Sequence, residues 1–288
     1  MKKVKKAIIP AAGRGTRLLP ITKIVCKELV PILDRPTVDY AVSEIQASGM
    51  THIVFVTSDK EGAIKNYFLE DSTLKQYLEE KNRLDLIELL PNYTPSLSFD
   101  SVHQPLPSGL GAAVLQAQSA IGEEPFAVTL GDDIIDAQVP VLKQLTNVFD
   151  DKKHSVISVM EVSQAQVPMY GIVEGELIGD RLYKINRVIE KPSPHQTKSR
   201  LAIIGRYIFT PNLFECLKQT PKGKGGEIQL TDAVALLLQN EPIYAYKFKG
   251  TRIDAGDKLG LLKAHLYFGA KELKWKKELK TFFDSLYS

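Results

Sequence analysis

The sequence predicts an α/β protein built on a doubly wound sheet with helices on both faces. Two observations predict it. In the first half of the 288 residues, short apolar runs alternate with helix-spaced segments, the pattern of a mostly parallel sheet covered by helices. Three Gly-, Pro- or Asp-bearing segments, 11–17, 104–111 and 131–133, each follow a strand candidate. Sheets of this kind present their ligands beyond the carboxyl ends of the strands.

The elements follow in order. Ala7-Ile8-Ile9 is an apolar run stopped by Pro10, and reads as a central strand. Val38, Ala41, Val42 and Ile45 repeat at helical spacing over 37–48, and Gly49 is a natural stop. His52–Thr57 is a second strand, and 61–69 and 73–81 are helical. Phe99–His103 is a short strand. The turn Pro105-Leu106-Pro107-Ser108-Gly109 follows, then an Ala-rich helix over 110–120. Phe126–Leu130 is a further buried strand. The second half is richer in strands, at 155–162, 170–174, 182–189 and 201–209. Helices are predicted at 211–218, from near Glu227 to 239, at 257–268 and over the tail 271–286. The tail carries an apolar face of Leu279, Phe282, Phe283 and Leu286, which packs on the chain's own core or on a second copy.

Composition narrows the function classes. Lys and Arg number 37 against 34 Asp and Glu, a net charge of +3. That excess is too small for a general nucleic-acid binder. Cys26 and Cys216 have no metal-like spacing and suggest no disulfide framework, so a reducing, cytoplasmic setting fits. No window suits a transmembrane span. The basic start, Lys2 to Lys6, precedes an apolar run too short for a signal peptide.

The chemistry concentrates after the first strand. Ala11-Ala12-Gly13-Arg14-Gly15-Thr16-Arg17 places two glycines where backbone N–H groups can close on phosphate oxygens. No Gly-Lys-Ser/Thr follows, so the segment is not a P-loop. Leu18 stands at the third glycine position of a dinucleotide fingerprint, so it is not that either. A bare Gly-x-Gly reads as a tight turn. Arg17 and Lys27 beside it supply two cations suited to a polyphosphate.

With Lys27-Glu28-Leu29-Val30-Pro31-Ile32, this segment resembles the signature of the sugar-nucleotide pyrophosphorylases. Within that group it is most similar to the bacterial UTP–glucose-1-phosphate uridylyltransferases. Further blocks match in order: 104–111, 130–134, Tyr170-Gly171-Ile172, Ile189-Glu190-Lys191-Pro192, 226–232 and 254–260. The resemblance implies a Rossmann-like mixed sheet of the nucleotide-diphospho-sugar transferase type. It implies one domain over 1–288, with a nucleotide-binding half at about 1–135, a sugar-phosphate half at about 136–270 and a C-terminal helix at 271–288. The implied substrates are UTP and glucose 1-phosphate, with no nucleic-acid or membrane partner. The implied assembly is a homodimer or a higher even-numbered homo-oligomer.

The resemblance also implies roles. Ala12, Gly13, Gly15, Thr16 and Arg17 would cradle the triphosphate, and Lys27 would neutralise it. Gln104 and Gly109 would read the base, with Glu28 near it. Asp132 and Asp254 would hold Mg²⁺, which suits two carboxylates plus substrate phosphates. Asp133, Gly171 and Glu190 would meet the sugar and Lys191 its phosphate. Taken alone, Asp132-Asp133 reads as a turn, Glu190-Lys191 as a surface pair, Gln104 as a solvated loop residue, and Gly223–Gly226 as either a flap or a turn. Asp257 reads best as a helix N-cap. Cys26, Ser108 and Ala112 depart from the family pattern near the nucleotide. Cys26 beside Lys27 is a thiol whose reactivity a cation can raise, or an inert one. Two alternatives stay open: another pair such as dTTP with glucose 1-phosphate, and a non-catalytic sugar-nucleotide binder on the same scaffold.

Overall fold

The computed structural model describes residues 2–58, 62–91, 93–104, 106 and 108–286. Residue 61 of the predicted helix 61–69, Pro105 and Pro107 of the predicted turn, and residues 287–288 of the predicted tail lie outside the described residues. The first half contains β1 (Lys6–Ala11), the short ribbon β2 (Pro31–Ile32) and β3 (Arg35–Pro36), α1 (Thr37–Ala47) and β4 (His52–Thr57). Then come α2 (Ala63–Tyr67), α3 (Ser72–Glu80), α4 (Leu84–Ile87), β5 (Ser98–His103), α5 (Leu110–Gln116), α6 (Gln118–Ile121) and β6 (Phe126–Thr129). The second half contains β7 (Asp133–Asp136), α7 (Val141–Lys152), β8 (Val156–Glu161), β9 (Gly171–Gly179), β10 (Leu182–Glu190) and β11 (Leu201–Phe209). It ends with α8 (Asn212–Gln219), α9 (Leu230–Asn240), β12 (Tyr244–Lys247), β13 (Thr251–Asp254), α10 (Lys258–Lys271) and α11 (Leu273–Ser285).

Among the described residues one nine-stranded sheet runs through both halves, in the order β5-β4-β1-β6-β11-β8-β12-β10-β9. The first four strands are parallel, as the alternating pattern predicts. Beyond β6 the pairing is antiparallel except between β8 and β12. The mostly parallel expectation therefore holds for the first half alone, and the sheet as a whole is mixed. Side chains alternate across it with period two. Ile8, Val54, Val56 and Val128 enter one core, beneath α5, α8 and α9. Ala7, Ile9, Ile53, Phe55 and Ala127 enter the other, beneath α1, α2 and α7. Both faces are buried, which is why these strands read as continuous apolar runs.

Several elements differ from the sequence reading. α7 is absent from it, although Leu142, Leu145 and Phe149 lie on one buried helical stripe. The predicted helix over 110–120 divides into α5 and α6. The predicted helix from near Glu227 starts at Leu230 instead. Residues 227–229 are held extended by a backbone exchange: Ile228 N donates to Ser108 O at 2.8 Å, and Gly111 N donates to Ile228 O at 2.9 Å. β7 and β13 form a separate two-stranded ribbon, packed on β2 and α10 through Ile32, Ile134, Ile253 and Ala264. Asp257 caps α10, accepting from Gly260 N at 2.8 Å. On α11, Leu279 faces Gly269 of α10, whereas Phe282 and Leu286 remain exposed. No helix among the described residues is long and apolar enough to cross a membrane.

Candidate active site

The Gly-rich segment leaves β1 and folds over Lys27. A Cβ on Gly13 would stand 3.3 Å from Lys27 Cε, and one on Gly15 would stand 3.0 Å from Lys27 Cβ. Thr16 and Arg17 lie in a short 3-10 turn, and Lys27 and Glu28 in another. Lys27 Nζ donates to Asp132 Oδ2 at 2.7 Å and lies 3.4 Å from Glu28 Oε1. Arg17 Nη2 is 3.9 Å from the same Asp132 oxygen, on a largely exposed side chain. Burial alone would lower the pKa of Lys27, but Asp132 and Glu28 reverse this and hold the ammonium above its ordinary value. Burial likewise pushes Asp132 up, and Lys27 outweighs it, so the carboxyl sits below the usual range. Both groups are thus charged at neutral pH.

Glu28 differs from its neighbours. It is 1% exposed, lies against Gly131, and neither carboxylate oxygen has a well-formed hydrogen bond. Burial raises its pKa. It is not on the wall of the cavity that Gln104 lines.

Asp132 sits in the turn between β6 and β7. β13 pairs antiparallel with β7 and places Asp254 opposite Asp133. Ala255 N donates to Asp132 O at 2.9 Å, closing the corner. The ribbon thus brings together two aspartates far apart in sequence. A Cβ on Gly256 would meet Asp132 Oδ2 at 3.0 Å, Asp254 Oδ1 at 3.1 Å and Arg17 Nη2 at 2.8 Å. Only a glycine leaves that space, and two carboxylate oxygens converge on it. Among the described residues no group of three or more His, Cys, Asp or Glu side chains is arranged for a metal. A pair completed by substrate oxygens is the remaining possibility, and it suits a hard cation.

Two arginines absent from the sequence reading hold this corner. Arg252 Nε donates to Asp133 Oδ1 at 2.6 Å, its Nη2 to Asp254 Oδ2 at 2.9 Å, and its Nη1 to Tyr170 Oη at 3.1 Å. Asp133 Oδ2 accepts from Gly205 N at 3.2 Å. Asp133, expected on the sugar, is therefore buried, with both oxygens committed inside the protein. Beneath it, Arg206 is 1% exposed in the middle of β11. Its Nη1 donates to Leu130 O at 3.1 Å and its Nη2 to Asp133 O at 2.7 Å, gripping the turn on either side of Asp132. Glu44 of α1 pairs with its Nε at 2.9 Å and also accepts from Leu142 N at 3.0 Å. The sequence does carry a signal for each. Arg206 interrupts an apolar strand, and a buried charge needs partners. Arg252 and Asp254 stand two apart on one strand and so share a face.

A cavity of about 300 Å³ opens beside Lys27 and Asp132. Ala12, Gly13, Gln104, Gly109 and Glu227 line it. Gly109 has φ +100°, and a Cβ there would stand 2.5 Å from Ile228 O, so no other residue fits. A larger cavity of about 790 Å³ runs along α1 past Arg35, Asp39 and Tyr67, and none of the predicted site residues lines it. The residues, not the volume, mark the site.

Gly171, Glu190 and Lys191 form a neighbouring group. Gly171 pairs with Glu190 across β9 and β10, and a Cβ there would meet Glu190 Oε2 at 3.3 Å. Lys191 Nζ lies 3.3 Å from Glu190 Oε1, and Lys191 N donates to Tyr170 O at 3.1 Å. Tyr170 connects this group to the acidic corner through Arg252. Cys26 is partly buried and packs against the core beneath α1, α2 and α7.

A model of the nucleotidyl transferase family matches residues 6–271. The UTP–glucose-1-phosphate uridylyltransferase of Staphylococcus haemolyticus is 44% identical over 286 residues, 99% of each chain. A UDP-glucose pyrophosphorylase solved with UDP-glucose superposes with a TM-score of 0.84 at 38% identity, over 93% of this chain and 100% of that one. A UTP-bound UGPase from Acinetobacter baumannii superposes with a TM-score of 0.89 at 36% identity, over 97% and 98% of the two chains. The chain belongs to the nucleotidyl transferase family and, within it, to the UTP–glucose-1-phosphate uridylyltransferases.

Proposed function

We propose that this chain transfers the uridylyl group of UTP to glucose 1-phosphate, giving UDP-glucose and pyrophosphate. The observation that carries the reading is the convergence of Asp132, Asp254 and Arg17 over Gly256, beside a cavity lined by Gln104. A phosphate oxygen of glucose 1-phosphate attacks the α-phosphorus. The new P–O bond forms as the bond to the β-phosphate oxygen breaks, and pyrophosphate leaves with that electron pair. The nucleophile is already an anion, so no general base is needed. Catalysis rests on positioning and charge neutralisation.

Lys27 and Arg17 carry the leaving pyrophosphate. Both now contact Asp132, and an incoming polyphosphate offers them oxygens in its place. Gly13, Gly15 and Thr16 wrap the phosphates, and Gln104 and Gly109 take the base. Gly171 and Glu190 hold the sugar and Lys191 its phosphate. Asp133 serves through Arg252 rather than by touching the sugar. Asp132 and Asp254 would hold Mg²⁺, whose charge would offset the phosphates and align them.

The retained cations and carboxylates argue against a non-catalytic binder. We place the enzyme in the cytoplasm, the setting that its two cysteines, Cys26 and Cys216, without metal-like spacing, favour. We also infer a homodimer or higher even-numbered assembly, since Phe282 and Leu286 leave apolar surface on α11. A monomer-sized species in light scattering would overturn that assembly. Pyrophosphate release across UTP, dTTP, CTP and several sugar 1-phosphates tests the reaction. UTP with glucose 1-phosphate should give the highest kcat/KM. Faster turnover with dTTP, or none with any pair, would overturn the reading.

A further inference from the structure

A buried amide has two orientations that exchange its donor and its acceptor. Gln104 is 3% exposed, and two groups decide between its two states. The Leu106 carbonyl can only accept, and it takes the Ser108 hydroxyl hydrogen at 3.2 Å. The Ser108 oxygen is left with its lone pairs and accepts from Gln104 Nε2 at 3.0 Å. Neither end drifts. Ile228 N donates to the Ser108 carbonyl at 2.8 Å, and Gln104 N donates to Thr57 O at 2.8 Å. Among the described residues, Gln104 Oε1 has no hydrogen-bond partner.

We propose that Ser108 is a positioning residue for base selection, locking the Gln104 amide so that it offers the base an acceptor beside a donor. The inference rests on the uridylyl reading above. An acceptor beside a donor complements the N3–H and O4 edge of uracil. It opposes cytosine, whose N3 accepts and whose amine donates. Without the hydroxyl the amide is free to turn over and present the reversed pair, which suits cytosine. Thymine shares the uracil edge, so the lock separates UTP from CTP and not from dTTP.

The test is kcat/KM for UTP and for CTP in the parent, Ser108→Ala and Ser108→Thr. Their ratio does not depend on the fraction of enzyme that is folded. The parent should prefer UTP. Ser108→Ala should lower the ratio by about two- to tenfold, the weight of one neutral hydrogen bond. Ser108→Thr keeps the hydroxyl and should keep the ratio, and the KM for glucose 1-phosphate should not move in either variant. A parent ratio retained in Ser108→Ala, or lost equally in Ser108→Thr, would overturn the lock while leaving the uridylyl reading intact. A parent without preference for UTP would overturn that reading, and the lock with it.

Discussion

The two flanks of the site are built in opposite ways. On the phosphate flank, Arg17 and Lys27 stand on short 3-10 turns, and Arg17 is largely exposed. On the acidic flank, Arg206 and Asp133 are buried, Arg252 and Glu44 are nearly so, and each makes at least two polar contacts. The first set is placed to exchange partners when phosphate arrives. The second set has no such freedom, because removing one member strands another in low dielectric. In the proposed reaction, Arg17 and Lys27, which meet phosphate, are carried on turns, and Arg206 and Arg252 behind the aspartates are carried on strands.

Breaking the buried flank should therefore cost stability first. Arg206→Met leaves Glu44 without its cation and the Leu130 and Asp133 carbonyls without a donor. We expect a loss of about 3–5 kcal/mol, the usual cost of breaking a buried pair, measured by urea unfolding. A loss under about 1 kcal/mol would show that the turn does not depend on this clamp.

Arg252→Lys tests the next layer out. A lysine keeps the charge but cannot span Asp133, Asp254 and Tyr170 together. Turnover should fall by about 10- to 100-fold, as it does when a group behind a metal ligand is lost. Half-maximal Mn²⁺ binding, followed by electron paramagnetic resonance, should shift to higher concentration. An unchanged binding curve would remove the positioning role.

Glu28→Gln gives the smallest change and reverses the sign. Burial raises the folded-state pKa of Glu28. As pH rises through its ordinary value of about 4.3, the unfolded chain loses a proton that the folded chain keeps. Stability is therefore lost with rising pH until the raised value is reached. The glutamine variant should melt above the parent at neutral pH and equal it below pH of about 4. Melting below the parent at neutral pH would show Glu28 to be a stabilising anion.

The contrast between flanks also explains what could be read from the sequence. Gly13, Lys27, Gln104 and Gly109 belong to contiguous motifs and line one cavity, and Arg17 of the first motif reaches Asp132 beside it. In the parallel half of the sheet, β1, β4 and β6 were legible because they are short, apolar and buried on both faces, whereas β5 is an exposed edge strand. α7 was legible too, through Leu142, Leu145 and Phe149, and was overlooked. Arg206 and Arg252 act through partners distant in sequence, so only an odd residue in a strand or a shared strand face announced them. Asp133 was placed on the sugar by its position in the family pattern, which says nothing about which way a strand residue faces; in this structure its carboxylate meets Arg252 and Gly205. Ser108 stood out as a departure from the family pattern, but its work depends on Leu106 and Gln104 being brought together by the turn.

The proposed mechanism requires Asp132 and Asp254 to act as one pair on a divalent cation. Pyrophosphate release from UTP and glucose 1-phosphate should be measured for the parent, Asp132→Asn and Asp254→Asn, with Mg²⁺ and with EDTA. Turnover should vanish in EDTA and recover fully when Mg²⁺ is restored. Each variant should lose at least about a hundredfold in kcat, the size of one preorganised electrostatic group, while folding as the parent does. Full activity in EDTA, or parent turnover in both variants, would contradict it.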